Sequence, residues 1–317
     1  MISVNYYKKV LLLEKLLFSK KEDDILKFYN SFGSSKDLIR WMKKRPKQKF
    51  SVYEESGNKN YIVLIPTKNH LGQYSRNCLK IYKGLQIIFL ESTGPFFSYA
   101  RTINFGLKYI ATKYKPKWII ISNDDMLKID EVSKLKSQLD KLDEKRVDIV
   151  YISPGEQQSV DCYLVSDRVT YKLYQIFFNR CSKKAQKILD KFNSPIKLIG
   201  SNSKDIKSQL LKVLRPLFFK TYTRYVSLGS CWIVSNEFVR KQSHKILDDA
   251  FVIDTEQDEF VLRSLNKIRI SNVKYKIGNK KGATLGSDCR RSLRGLTGII
   301  YLNYKFKVLN KFNKSDL

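Results

Sequence analysis

Two acidic clusters are the residues in this chain best suited to chemistry. Asn123-Asp124-Asp125 closes an apolar run at 118–121, and Asp254-Thr255-Glu256-Gln257-Asp258-Glu259 precedes the apolar Phe260-Val261-Leu262. Adjacent carboxylates repel one another, so a pair behind a buried strand asks for a cation. A hard ion, Mg2+ or Mn2+, would accept one or two of these oxygens and take the rest from a diphosphate and water. The second cluster could supply a general base that takes a proton from a hydroxyl nucleophile. Both have a plainer reading, as a turn and as a helix start whose dipole favours negative charge. Arg290, Arg291 and Arg294 could clamp a diphosphate bidentately or form a solvated basic loop.

The elements that must position these groups alternate between strand and helix. An apolar run at 61–65 ends in Pro66-Thr67-Lys68-Asn69, and another at 85–90 ends in Glu91-Ser92-Thr93. Ser98 is placed to cap a helix whose apolar stripe is Ala100, Ile103, Leu107, Ile110 and Ala111. Further strands are predicted at 118–121 and 147–152, with a helix over 134–142. Continuous apolar strands alternating with helices predict an α/β fold with a mostly parallel sheet covered on both faces. Ligands of such sheets gather at the carboxyl ends of the strands, where three of the polar clusters fall.

Four segments follow from this pattern: a helical, lysine-rich accessory segment over 1–57, a first α/β half over 58–155, a basic helical insertion over 156–225, and a second half with a basic carboxyl-terminal segment over 226–317. The insertion is expected to hold helices around 171–178, 185–192 and 206–214, and the second half to open with a strand at 227–234 and a helix from Asn236.

Composition narrows the chemistry. With only His70 and His244, a histidine-based triad or a multi-histidine metal site has little to work with. The five cysteines are scattered without a Cys-x-x-Cys pair, which fits a reducing, cytoplasmic setting. No apolar run approaches the roughly 20 residues of a membrane span. A formal net charge of +30 attracts nucleotide diphosphates, nucleic acid or an anionic membrane surface. The aromatic residues interleaved with lysines over 301–312 would suit peripheral docking on anionic lipid. No zinc finger or RNA-recognition signature accompanies the charge, so a nucleic-acid partner is not expected, although a nucleic-acid-binding protein or metal-dependent nuclease is the alternative class.

The order of these motifs resembles family 2 glycosyltransferases, whose fold is the Rossmann-type GT-A fold. Residues 61–69 are similar to the family's opening strand, and Phe89-Leu90-Glu91-Ser92-Thr93-Gly94 to its second. Ser98-Tyr99-Ala100-Arg101-Thr102-Ile103-Asn104-Phe105-Gly106 is similar to its "ARN-x-G" helix, and residues 118–125 to the strand that ends in its D-x-D motif, here as Asn123-Asp124-Asp125. Residues 229–238 and 251–263 resemble its acceptor-side strand and its base-bearing "E-D-x-D-L-x-x-R" element. The likeness covers roughly 60–155 and 225–300, with three departures: Glu91 replaces an aspartate, Asn123 removes a carboxylate, and Gln257 stands where the catalytic aspartate is expected.

The resemblance implies an inverting, single-displacement transfer of a sugar from a nucleotide donor to a glycan, lipid-linked glycan or protein, with Mn2+ or Mg2+ on the donor diphosphate. Asp125 with Asn123 would hold the metal. Pro66, Thr67, Glu91, Arg101, Asn123 and Asp124 would contact the donor, and Trp232 would stack on an acceptor sugar. The base would be Asp258, then Glu256, then Glu259. With Asn123 and Gln257 departing from the pattern, a transferase-like scaffold without turnover is a further alternative.

Overall fold

The computed structural model describes residues 4–152, 159–164, 183–192, 196–200, 220–280 and 289–312. The chain opens with α1 (Val4–Leu17), α2 (Glu22–Asn30) and α3 (Ser35–Lys44), joined around Phe28, whose ring meets Tyr29, Phe32 and Trp41 edge-on. The Ser34 side chain caps α3 by accepting from the Asp37 backbone N–H at 3.3 Å. Helix does not continue through residue 57. Phe50 and Val52, two apart, start a strand, β1 (Lys49–Glu55), which pairs antiparallel with a strand of the main sheet, Lys49 opposite Thr93.

The first α/β half follows as β2 (Asn58–Thr67), α4 (Gln73–Ile81), β3 (Leu85–Thr93), α5 (Tyr99–Lys113), β4 (Trp118–Ser122), β5 (Met126–Lys128), α6 (Val132–Leu139) and β6 (Ile149–Ile152). Alternate side chains of the central strands feed two separate cores. Ile62, Leu64, Ile88, Leu90, Ile119 and Ile121 pack on one face; Val63, Ile65, Ile87, Phe89, Trp118 and Ile120 pack on the other. Burial on both faces is why these strands read as unbroken apolar runs. Helix α5 approaches the first face so closely that a Cβ on Gly106 would fall 2.5 Å from a Leu64 methyl.

Residues 156–225 carry more than helices. β7 (Ser159–Leu164), β8 (Ile196–Gly200) and β9 (Lys220–Val226) form an antiparallel sheet in the order β8-β7-β9, with α7 (Lys183–Lys191) between β7 and β8 in sequence. The threonine- and tyrosine-rich β9 suits a pleated surface better than a helix. Helix α7 meets the expectation at 185–192; the helices expected at 171–178 and 206–214 lie outside the described residues.

The chain then forms β10 (Cys231–Ser235), α8 (Asn236–Lys241), α9 (Glu256–Ser264), β11 (Ile270–Val273), β12 (Ile277–Asn279) and α10 (Cys289–Phe312). The main sheet has the order β1-β3-β2-β4-β10-β6-β11. Five strands run one way, and β1 and β10 run against them, so the sheet is mixed and three of its six pairings are antiparallel. An apolar run buried on both faces carries no mark of its direction, so the mostly parallel sheet expected from the sequence proves to be mixed. Among the described residues, no helix is long and apolar enough to cross a membrane.

Candidate active site

Strands β2, β3 and β4 run parallel and deliver Thr67, Glu91 and Asn123-Asp124-Asp125 to one edge of the sheet. Thr67 and Glu91 are register partners. The Thr67 hydroxyl donates to Asp124 Oδ2 at 2.8 Å, and the Cys78 thiol of α4 donates to the Asp124 carbonyl at 3.3 Å. The Asn123 N–H donates to Ser230 O at 2.9 Å, and the Lys280 N–H to Asp125 O at 2.9 Å, just beyond the β5–β12 ribbon. Asp124 and Asp125 are each only 8% exposed. Burial raises the Asp124 pKa above the usual carboxylate value; the Thr67 hydrogen bond opposes the shift and the Asp125 charge adds to it. Among the described residues, no group of three or more His, Cys, Asp or Glu side chains forms a metal cage.

Glu91 is engaged by a residue the sequence reading passed over. His70 donates its backbone N–H to Glu91 Oε1 at 2.5 Å and sets ring Nδ1 at 2.6 Å from the same oxygen. The imidazole stacks on Tyr53 of β1 with centroids 3.5 Å apart. Its position in the loop after a parallel strand, three residues beyond Thr67, is the signal that could have drawn attention to it.

The second acidic cluster is a strained turn leading into a helix. Asp254 (φ 57°) and Thr255 (φ 64°) are both left-handed, and for a β-branched residue such as Thr255 that conformation is an outlier. Each such residue costs on the order of 1–3 kcal/mol and persists only where its surroundings impose it. Helix α10 is that surrounding. A Cβ on Gly298 would overlap the Thr255 hydroxyl, and one on Gly295 would lie 3.1 Å from Asp254 Oδ2.

Glu256, the first residue of α9, is 6% exposed, and its Oε2 is buried without a hydrogen-bond partner. Burial, then the Asp254 charge and to a lesser extent that of Asp258, push its pKa up to about 8. Asp258, first choice for the base in the sequence, is half-buried two residues on. Glu259 is held differently: its Oε1 accepts from Arg263 Nε at 2.9 Å and Lys305 Nζ at 2.6 Å. Lys305 also reaches Asp248 Oδ2 at 2.6 Å, so Glu259 belongs to an ion-pair network between α9 and α10. Gln257 Nε2 donates to the Tyr99 hydroxyl at 3.3 Å.

Tyr99 lies beside the second cluster. It opens α5, five residues after β3, and burial raises its hydroxyl pKa well above the ordinary value, followed by the Glu256 charge, while the nearby Trp232 indole and the Gln257 hydrogen bond oppose the shift. Trp232 is the register partner of Ile121, and Cys231 of Ser122, the residue before Asn123. The start of α9 therefore lies toward the sheet edge that carries the aspartate pair.

Several residues expected at this edge are occupied elsewhere. Trp232 is 0% exposed and packs on Phe260 inside the core, leaving no ring face for a sugar. A tryptophan in a strand buried on both faces has no other place to go. Arg101 donates to three carbonyls, Asp249 O at 3.0 Å, Pro46 O at 2.6 Å and Arg45 O at 3.2 Å, and so ties the amino-terminal helices to α5 rather than facing a donor. The three carboxyl-terminal arginines do not form one clamp. Arg290 donates to Lys20 O and Arg294 to Leu17 O and Ser19 O, satisfying carbonyls at the end of α1, while Arg291 lies 3.6 Å from Asp254. Asn104 has a positioning role the sequence reading did not assign. Its Nδ2 donates to Leu247 O and Asp249 Oδ1, each at 2.7 Å, and its Oδ1 accepts from Ile246 and Leu247 N–H groups, shaping the loop that leads to Asp254.

No family model matches the chain, and no curated protein matches its sequence.

Proposed function

We propose that this protein transfers a glycosyl group from a nucleotide-sugar donor to an acceptor hydroxyl. The observation that carries the reading is the gathering of Thr67, Glu91 and Asp124-Asp125 at the carboxyl edge of three parallel strands, with Thr67 hydrogen-bonded to Asp124. Crevices at that edge are where α/β sheets take nucleotides.

Two buried aspartates with Asn123 fit Mg2+ or Mn2+ shared with a diphosphate, since such ions need only one or two protein carboxylates when phosphate oxygens and water complete the shell. Burial and the neighbouring charge that raise the Asp124 pKa are the electrostatic deficit such a cation relieves. Bound there by Asp125 and Asn123, the ion would neutralise the charge developing on the departing diphosphate. Thr67, Glu91 and His70 border the nucleoside. Glu256 is the base in this reading, in preference to Asp258 and Glu259. Its unpartnered Oε2 takes the acceptor O–H proton while the new C–O bond forms at the anomeric carbon and the old C–O bond's electron pair leaves with the nucleoside diphosphate.

The test is a thermal-shift panel of nucleotide sugars with and without Mn2+, followed by product analysis with any donor that binds. A metal-dependent rise in melting temperature with one nucleotide class supports the proposal. Salt-sensitive oligonucleotide binding without any nucleotide-sugar response overturns it in favour of a nucleic-acid-directed protein.

A further inference from the structure

The amino-terminal helices line a half-open cleft of about 370 Å3 among α1, the α2–α3 turn and α3, remote in sequence from both acidic clusters. Its volume lies in the range of small-molecule sites, on the order of 300–1,000 Å3. Leu13, Phe32 and Trp41, all buried, supply an apolar and largely aromatic lining, while the exposed Lys9, Arg40 and Lys44 contribute positive charge. Asp37 offsets only part of that charge, through its 3.2 Å contact with Arg40. The Trp41 indole N–H is buried and has no hydrogen-bond partner. A buried tryptophan N–H ordinarily finds an acceptor, and a ligand oxygen would provide one.

We propose that this cavity binds a small aromatic anion, its ring against Phe32 and Trp41 and its phosphate or carboxylate on Lys9 and Lys44. Apolar lining with few convergent polar groups is the usual composition of such a site. An aromatic body is favoured over a bare inorganic anion because the lysines alone would hold a small anion at the rim of the cleft without covering its apolar wall. The inference does not depend on the transferase reading, as none of these residues belongs to that site.

Calorimetric titration of the full chain with 1-naphthyl phosphate, inorganic phosphate and 1-naphthol tests it. The expected result is one-site binding of 1-naphthyl phosphate at least about tenfold tighter than either control, because charge and ring act together. The double variant Lys9→Gln/Lys44→Gln, altered only at exposed positions, should weaken binding by about tenfold or more and flatten its salt dependence. Trp41→Phe, which keeps an aromatic ring but removes the indole donor, should weaken it about three- to tenfold. Melting temperatures of both variants establish that they are folded. Equal affinity for inorganic phosphate or for 1-naphthol, or wild-type affinity in both variants, would overturn the proposal.

Discussion

Gly298 of α10 sits directly against Thr255, so closely that any Cβ there would overlap the threonine hydroxyl and come within 2.7 Å of the Asp254 carbonyl. The contact holds two consecutive left-handed residues immediately ahead of the buried Glu256. Gly298→Ala should therefore push on the turn itself. Overpacking of this kind costs about 1–3 kcal/mol. Urea unfolding should show a lower midpoint at unchanged m-value, and a midpoint equal to wild type would mean that α10 does not impose the turn.

Glu256 links stability to pH in a definite direction. Its folded pKa is about 8 against an ordinary value of 4.5, so the native state holds a proton that the unfolded state has released between those values. The stabilisation is complete below pH 4.5 and is lost as pH rises through about 8. Glu256→Gln, which cannot ionise, should remove this component of the slope, so melting temperatures from pH 5 to 9 should fall less steeply in the variant. Parallel curves for the two proteins would show that Glu256 is not held protonated.

If Glu256 is the base, Glu256→Gln should also lower turnover by about 10²–10⁴-fold while donor binding stays nearly unchanged. Wild-type activity should rise with pH toward an apparent pKa near 8. Asp258→Asn, made for comparison, should retain most activity; a deeper loss in Asp258→Asn than in Glu256→Gln would move the role to Asp258.

Lys305 bridges Glu259 and Asp248 at 2.6 Å each. Lys305→Met removes one of the two cations on a nearly fully buried carboxylate. Breaking a buried pair in this way costs about 3–5 kcal/mol, the upper end applying where no second cation remains as Arg263 does here. Adding Glu259→Gln should restore part of the loss, measurable as a double-mutant cycle by chemical denaturation. Strictly additive effects would dissolve the network.

Asp125→Ala should abolish Mn2+-dependent binding of the nucleotide sugar while leaving the fold intact, because the carboxylate lies in the turn between β4 and β5, outside both strands. Wild-type donor affinity in the variant, measured by calorimetry with and without Mn2+, would remove Asp125 from the site.

By itself, the sequence determined the local elements and where the polar clusters interrupt them. The runs at 61–65, 85–90 and 118–121 are strands, Ser98 caps α5, and Thr67, Glu91 and Asn123-Asp124-Asp125 stand at one sheet edge. These are consequences of period, burial and capping, which act over a few residues and leave their mark in residue type. What only the tertiary structure decided is which side chains are already occupied. Arg101 spends its guanidinium on Arg45, Pro46 and Asp249, Arg290 and Arg294 on the end of α1, and Glu259 on Arg263 and Lys305. Each partner lies far away in sequence or on another element, except Arg263, so no local pattern reveals it. The same holds for β10, antiparallel between β4 and β6, and for Glu256, whose proton affinity is set by burial and by the Asp254 charge. A carboxylate's chemistry depends on the water and charges around it, and those are arranged by the packing of distant segments.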